Sequence, residues 1–103
     1  MSIRANSGGY TLINASTSAA EDSVAIEAMN LFKSFTVEIS AAGSVQIQVS
    51  NDPRVRTDPA NAVWFNRGSA VTATGVVVFE DTFIHYRVVL TGNTGTVTVR
   101  VGI

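Results

Sequence analysis

The chain has a single histidine, His85, and no cysteine. Without thiols there is no disulfide, no zinc–thiolate site and no thiol nucleophile. A histidine acting as general base needs a nucleophile on one ring nitrogen and an orienting carboxylate on the other. Serine and aspartate are so frequent here that their presence alone points to no triad. His85, between Ile84 and Tyr86, reads as a half-exposed strand residue. Paired carboxylates are the next possibility. Glu21–Asp22 and Glu80–Asp81 are adjacent pairs, but neighbours on a strand point to opposite faces. Glycosidase chemistry needs two carboxyls facing each other across about 5–10 Å, so these read as solvated turn residues. Asn51, Asp52, Asp58 and Asn61 gather oxygen ligands in one loop. The Asp-x-Asp-x-Asp-Gly spacing of a calcium loop is absent, and turn initiation by Asn51-Asp52-Pro53 accounts for them. Gly8–Gly9 and the Gly92 to Gly95 stretch lack the lysine and the following helix of a phosphate loop. The expectation is a protein that is not an enzyme, with no cofactor and no metal.

That leaves contact chemistry. Arg54, Arg56 and Arg67 give the middle of the chain a positive lean. The guanidinium fork suits carboxylate or phosphate partners, and arginine is enriched at protein interfaces; a solvated loop explains the same residues. Trp64–Phe65 stands beside that loop. On a strand, one ring packs inward and the other outward. An outward ring fills a partner's pocket or stacks on a sugar; an inward Trp64 is core. Arg54, Arg56, Arg67 and Trp64 are the candidate protein-contact residues. Seven basic against eight acidic residues leave a net charge of −1. That balance creates no field for nucleic acid or an anionic membrane surface. No run of about 18 apolar residues is present to cross a bilayer.

Strands must position these residues. The 103 residues amount to one domain, and 46% are hydrophobic against 15% charged, which excludes an ordinary disordered chain. Fifteen residues are valine and eleven threonine, both β-branched and suited to a pleated surface. Phe35, Val37 and Ile39 alternate with polar residues, as do Val45, Ile47 and Val49 after a short loop with Gly43. This predicts an antiparallel hairpin. Tyr86, Val88 and Leu90, then Val97, Val99 and Val101 after the Gly92–Gly95 turn, predict a second. Val37, Ile39, Val45, Ile47, Val49, Val88, Leu90, Val97 and Val99 share one phase and are expected in a single core. Ile13, Val77, Val89 and Ile103 are expected on outward faces. Tyr10–Ile13, Val63–Phe65 and Val71–Phe79 are further strands. Residues 22–29 fit a strand better than a helix, which would have barely two turns and no apolar stripe. Asn51 to Ala62 is one long loop holding both prolines. Seven or eight short strands predict an all-β fold, an antiparallel β-sandwich of jelly-roll or Greek-key type. Residues 10–103 form that single domain. Residues 1–9, polar and without the apolar stretch of a secretory peptide, form a flexible N-terminal arm able to order on a neighbour.

Val45-Gln46-Ile47-Gln48-Val49-Ser50-Asn51-Asp52, then Trp64, then Phe79 to Tyr86-Arg87-Val88, then Gly95-Thr96-Val97-Thr98-Val99, resembles small β-sandwich virion proteins of tailed bacteriophages. The resemblance spans residues 32–103. It departs at Pro53 to Pro59, where Arg54-Val55-Arg56 replaces a Gly-rich turn, and it carries over no individual functional residue. Such proteins are capsid decoration (cement) proteins, head–tail or tail components, or fibre modules. The resemblance therefore implies a capsid decoration protein made in the host bacterial cytoplasm and located in the virion. Its partners would be the major capsid protein or other virion proteins, and it would be a homo-oligomer, a trimer being favoured. A mean hydropathy of +0.25 agrees with surface reserved for association. The competing reading is a carbohydrate-binding or adhesion module with Trp64 as stacking platform.

Overall fold

Where valine and isoleucine alternate with polar residues in Phe32–Ile39, Ser44–Ser50 and Val97–Gly102, the backbone is extended, because that pattern fits a pleated surface with one dry face. The computed structural model describes residues 2–4, 9–27 and 32–102. In chain order the strands are β1 (Ser2–Arg4), β2 (Gly9–Ser16), β3 (Glu21–Asp22), β4 (Ala25–Glu27), β5 (Phe32–Ile39), β6 (Ser44–Ser50), β7 (Phe65–Asn66), β8 (Gly75–Glu80), β9 (His85–Thr91) and β10 (Val97–Gly102). A single helical turn, α1 (Arg54–Thr57), and a 3-10 turn over Pro59–Asn61 lie between β6 and β7.

The strands form two sheets. One runs β1-β4-β9-β6-β7, with β3 also paired to β9; the other runs β2-β10-β5-β8. The pairing is nested and antiparallel: β2 with β10, β3 and β4 with β9, β5 with β8, β6 with β7. The chain is thus one long hairpin with its tip at residues 51–64, rolled so that successive rungs alternate between sheets. This is the jelly roll. The expected seven or eight strands become ten among the described residues, because one rung is split into β3 and β4 and β1 adds in parallel to the edge at β4. Within the arm expected over 1–9, Ser2–Arg4 is therefore a sheet strand.

Neither expected short hairpin forms. β5 pairs with β10 and β8, whereas β6 pairs with β9 and β7. β9 and β10 likewise fall in opposite sheets. Period-two alternation tells which side of a strand is dry, and strands facing each other across a core carry the same pattern as strands side by side. The core itself is as the phase predicts. Val37, Val45, Ile47, Val49, Val88, Leu90, Val97 and Val99 are buried, and Ile39 packs half-buried at its rim.

Of the residues expected outside, Ile13 is buried beside Leu12. The β2–β10 register shifts between Val99↔Ile13 and Arg100↔Thr11, and such a bulge turns consecutive side chains to one face. Val77 pairs with buried Phe35 and packs against the core, so Val76 and Val78 point outward instead. Val89 is half-buried, and Ile103 lies outside the described residues. The strand reading of 22–29 holds as far as Glu27; Ala28 and Met29 lie outside the described residues. Val24 is exposed in the break between β3 and β4, and Ala25 and Ile26 are buried.

Candidate functional site

The tip of the rolled hairpin is built around Asp52. Its carboxylate accepts the backbone N–H of Arg54 (2.9 Å), the Arg54 side chain (Nε at 3.1 Å, with an ion pair at 2.8 Å) and the backbone N–H of Val63 (2.9 Å). These donors, the Arg54 side chain first, hold its carboxyl well below the usual carboxylate range. Ser50 Oγ accepts from Asp52 N–H and donates to the Val63 carbonyl, while Asn51 Oδ1 accepts from Ile84 N–H. Asn61 donates to Asp58. Val55, on α1, is the residue of this segment that plugs into the interior. The loop is therefore a pinned cap, and its oxygen-rich residues are spent on turn closure.

The candidate arginines are each held by this chain. Arg56 grips Glu27 of β4 with two bonds, Nε at 2.6 Å and Nη2 at 2.7 Å, the geometry that suits a guanidinium to a carboxylate. Arg67 donates to Asp81 at 2.7 Å and lies over the Phe79 ring at 4.4 Å. Trp64 is half-buried just before β7, and Phe65, at the start of that strand, carries the exposed ring. Arg87, from β9, stacks over the Trp64 ring at 4.4 Å and donates to Gln48 at 2.8 Å. With Ser23, Val24, Ala25, Val55 and Pro59, these two residues line a hollow of about 80 Å³. The structure thus brings Arg54, Arg56 and Trp64 to the tip, while Arg67 belongs to a separate cluster with Asp81.

That cluster reaches into the core. Lys33 is fully buried; its Nζ donates to the Asp81 carbonyl at 2.5 Å and lies 5.0 Å from the centre of the Tyr86 ring. Tyr86 hydroxyl donates to the Asp81 carboxylate. Burial pushes the lysine pKa down, with Asp81 opposing, and burial together with the Asp81 bond pushes the tyrosine up. Lys33 was missed, although its position in phase with Phe35 and Val37 was a signal for burial. Asp81 carried no such signal, because its partners come from residues 33, 67 and 86.

Two apolar surfaces stay uncovered among the described residues. Val63 and Phe65 form one at the tip, 46% and 66% exposed. Phe32, Val76 and Val78 form the other on the outer face of the four-stranded sheet, 58%, 62% and 60% exposed.

The fold recurs in solved structures. The SPBc2 prophage-derived protein YomS superposes with a TM-score of 0.71 at 13% identity, covering 93% of this chain and 90% of that one. IMPa of Pseudomonas aeruginosa, solved in complex with an O-glycopeptide, matches with a TM-score of 0.55 at 21% identity over 93% of this chain. This chain spans 12% of the IMPa chain. No protein-family model and no curated protein matches the sequence. At these identities the shared property is the fold.

His85 corrects another expectation. It is buried, 2% exposed, because β9 is a central strand, pairing with Glu27 on one side and Ser50 on the other. Its Nδ1 has no hydrogen-bond partner among the described residues. Burial pushes its pKa below the ordinary 6.5; Glu27 and Asp52 oppose this and Arg56 reinforces it. The folded state then prefers the neutral ring, so this stability is whole above about pH 6.5 and is lost as pH falls below it. The expected slope is at most about 1.4 kcal/mol per pH unit. Thermal melts from pH 8 to pH 5 should show it, and His85→Leu should flatten that part of the profile. A wild-type profile no steeper than the variant's would contradict the assignment.

Proposed function

We propose that this chain is a phage-related virion structural protein without catalytic activity, a capsid decoration protein that acts as a homo-oligomer on the major capsid protein. Head–tail or tail attachment is the neighbouring role. The observation that carries this reading is the jelly roll shared with a prophage-derived protein over about nine-tenths of both chains. The surface supports it. The candidate arginines meet carboxylates of their own chain, while Phe32, Val63, Phe65, Val76 and Val78 leave apolar surface uncovered. An apolar patch rimmed by satisfied charges is a protein-contact surface in character. The sugar-stacking alternative asks for an open tryptophan face, and Arg87 occupies one face of Trp64.

The test is quantitative mass spectrometry of purified particles of the phage that encodes the chain. A decoration protein is expected in copy numbers comparable to the major capsid protein. A handful of copies per particle would move the role to the neck or tail. Absence from particles, with Trp64 fluorescence responding to sugars, would overturn the virion reading in favour of carbohydrate binding.

A further inference from the structure

Strand β8 ends the sheet β2-β10-β5-β8 and is paired on one side only among the described residues. An edge strand carries a row of backbone donors and acceptors ready to accept another strand. Natural edges are usually blunted by a lysine, a proline, a bulge or extreme shortness. β8 has none of these. It reads Gly-Val-Val-Val-Phe-Glu over residues 75–80, is in continuous register with β5 from Phe32↔Glu80 to Val37↔Gly75, and carries its one charge at the last position. Val76 and Val78 stand outward with Phe32 of β5 on the same face.

We propose that β8 is a self-association edge, pairing antiparallel with β8 of a second copy about a two-fold axis through Val77. This names the contact of the homo-oligomer proposed above and rests on that reading. It replaces the threefold assembly implied by the resemblance with a two-fold one.

The register follows from two constraints. A two-fold axis perpendicular to the sheet keeps outer faces together, so a residue pairs with one of the same parity in the partner. Pairing Val76 with Val78 of the partner meets that condition and joins the outward valines of both copies into one strip. β-branched pairs of this kind are favourable across a ladder. The same register sets Glu80 opposite Thr74, with the two glutamates at opposite ends of the ladder. A shift by one step in one direction puts Glu80 against Val76; in the other it leaves Val78 opposite Thr74. The two sheets of four strands would become one continuous sheet of eight across the dimer. Charge and apolar area therefore select the same alignment, which is the argument for a second copy as the occupant.

The chain has no cysteine, so Val76→Cys and Val78→Cys each introduce one thiol. Mixed in equal amounts and oxidised, they are expected to give mainly the 76–78 heterodisulfide, because same-residue pairs sit on the diagonal, about 7–8 Å apart. Sedimentation equilibrium of the wild type should show a monomer–dimer system. Val78→Lys should weaken it at least tenfold without lowering the melting temperature of the dilute monomer, and Val24→Lys, in the break between β3 and β4 and away from β8, should leave it unchanged. A wild type that stays monomeric at millimolar concentration overturns the proposal. So do equal effects of the two lysine variants, or same-residue disulfides dominating the mixture. A dimer absent from phage particles would sink the virion reading and leave this contact standing; a strict monomer abundant in particles would do the reverse.

Discussion

Asp81→Ala is expected to destabilise the protein by about 2–3 kcal/mol, the cost of removing the acceptor at the centre of a partly buried ionic cluster. The carboxylate sits between Arg67, which donates to it at 2.7 Å, and the hydroxyl of Tyr86. The residue's carbonyl takes the Lys33 ammonium. Lys33 and Tyr86 are both fully buried. Deleting the carboxylate removes the acceptor of the tyrosine hydroxyl proton and a negative charge that offsets the burial of the lysine. Lys33→Met should behave differently. It removes the buried charge along with its desolvation cost and keeps Asp81 paired with Arg67, so a change within about 1.5 kcal/mol of the wild type, of either sign, is expected. Urea unfolding of both variants measures the contrast. A loss below about 1 kcal/mol for Asp81→Ala would show that the cluster does not carry this part of the fold.

Ile47→Ala is expected to cost about 2–5 kcal/mol, as large-to-small changes in packed cores do. Ile47 is fully buried at the middle of β6, paired with Val88, and its carbonyl accepts the Arg67 backbone N–H at 2.8 Å. The truncation leaves a void between two sheets whose other residues are held by their own ladders, so collapse into it is limited. Val89→Thr, on a half-buried position of the neighbouring strand, should change stability much less. Denaturant melts that put Ile47→Ala within about 0.5 kcal/mol of the wild type, the range of ordinary surface substitutions, would contradict its place in the core.

Much of the dry interior was legible in the sequence. Along most of β5, β6, β9 and β10 apolar and polar residues alternate, and alternation on a strand has one physical meaning, a wet side and a dry side. Fold class and core phase follow from that. Lys33 was missed, although its position in phase with Phe35 was a signal that could have placed it inside. The candidate site was less legible. Arg54, Arg56 and Trp64 do come together at the tip, but Glu27, the partner of Arg56, and Arg87, the partner of Trp64, lie at least 23 residues away in the chain, beyond any local pattern.

By itself, then, the sequence determined which side of β5, β6, β9 and β10 meets the core, because that depends on a few neighbouring residues. Tertiary structure alone decided which strand lies beside which. β5 and β6, or β9 and β10, could close as hairpins or face each other across the core with the same residues buried. The choice falls to the nested ladder as a whole, where β2 must reach β10 and β6 must return to β7. It also decided the exceptions, the bulge that buries Ile13 and the convergence on Asp81, since each depends on residues brought together only when the long hairpin rolls up.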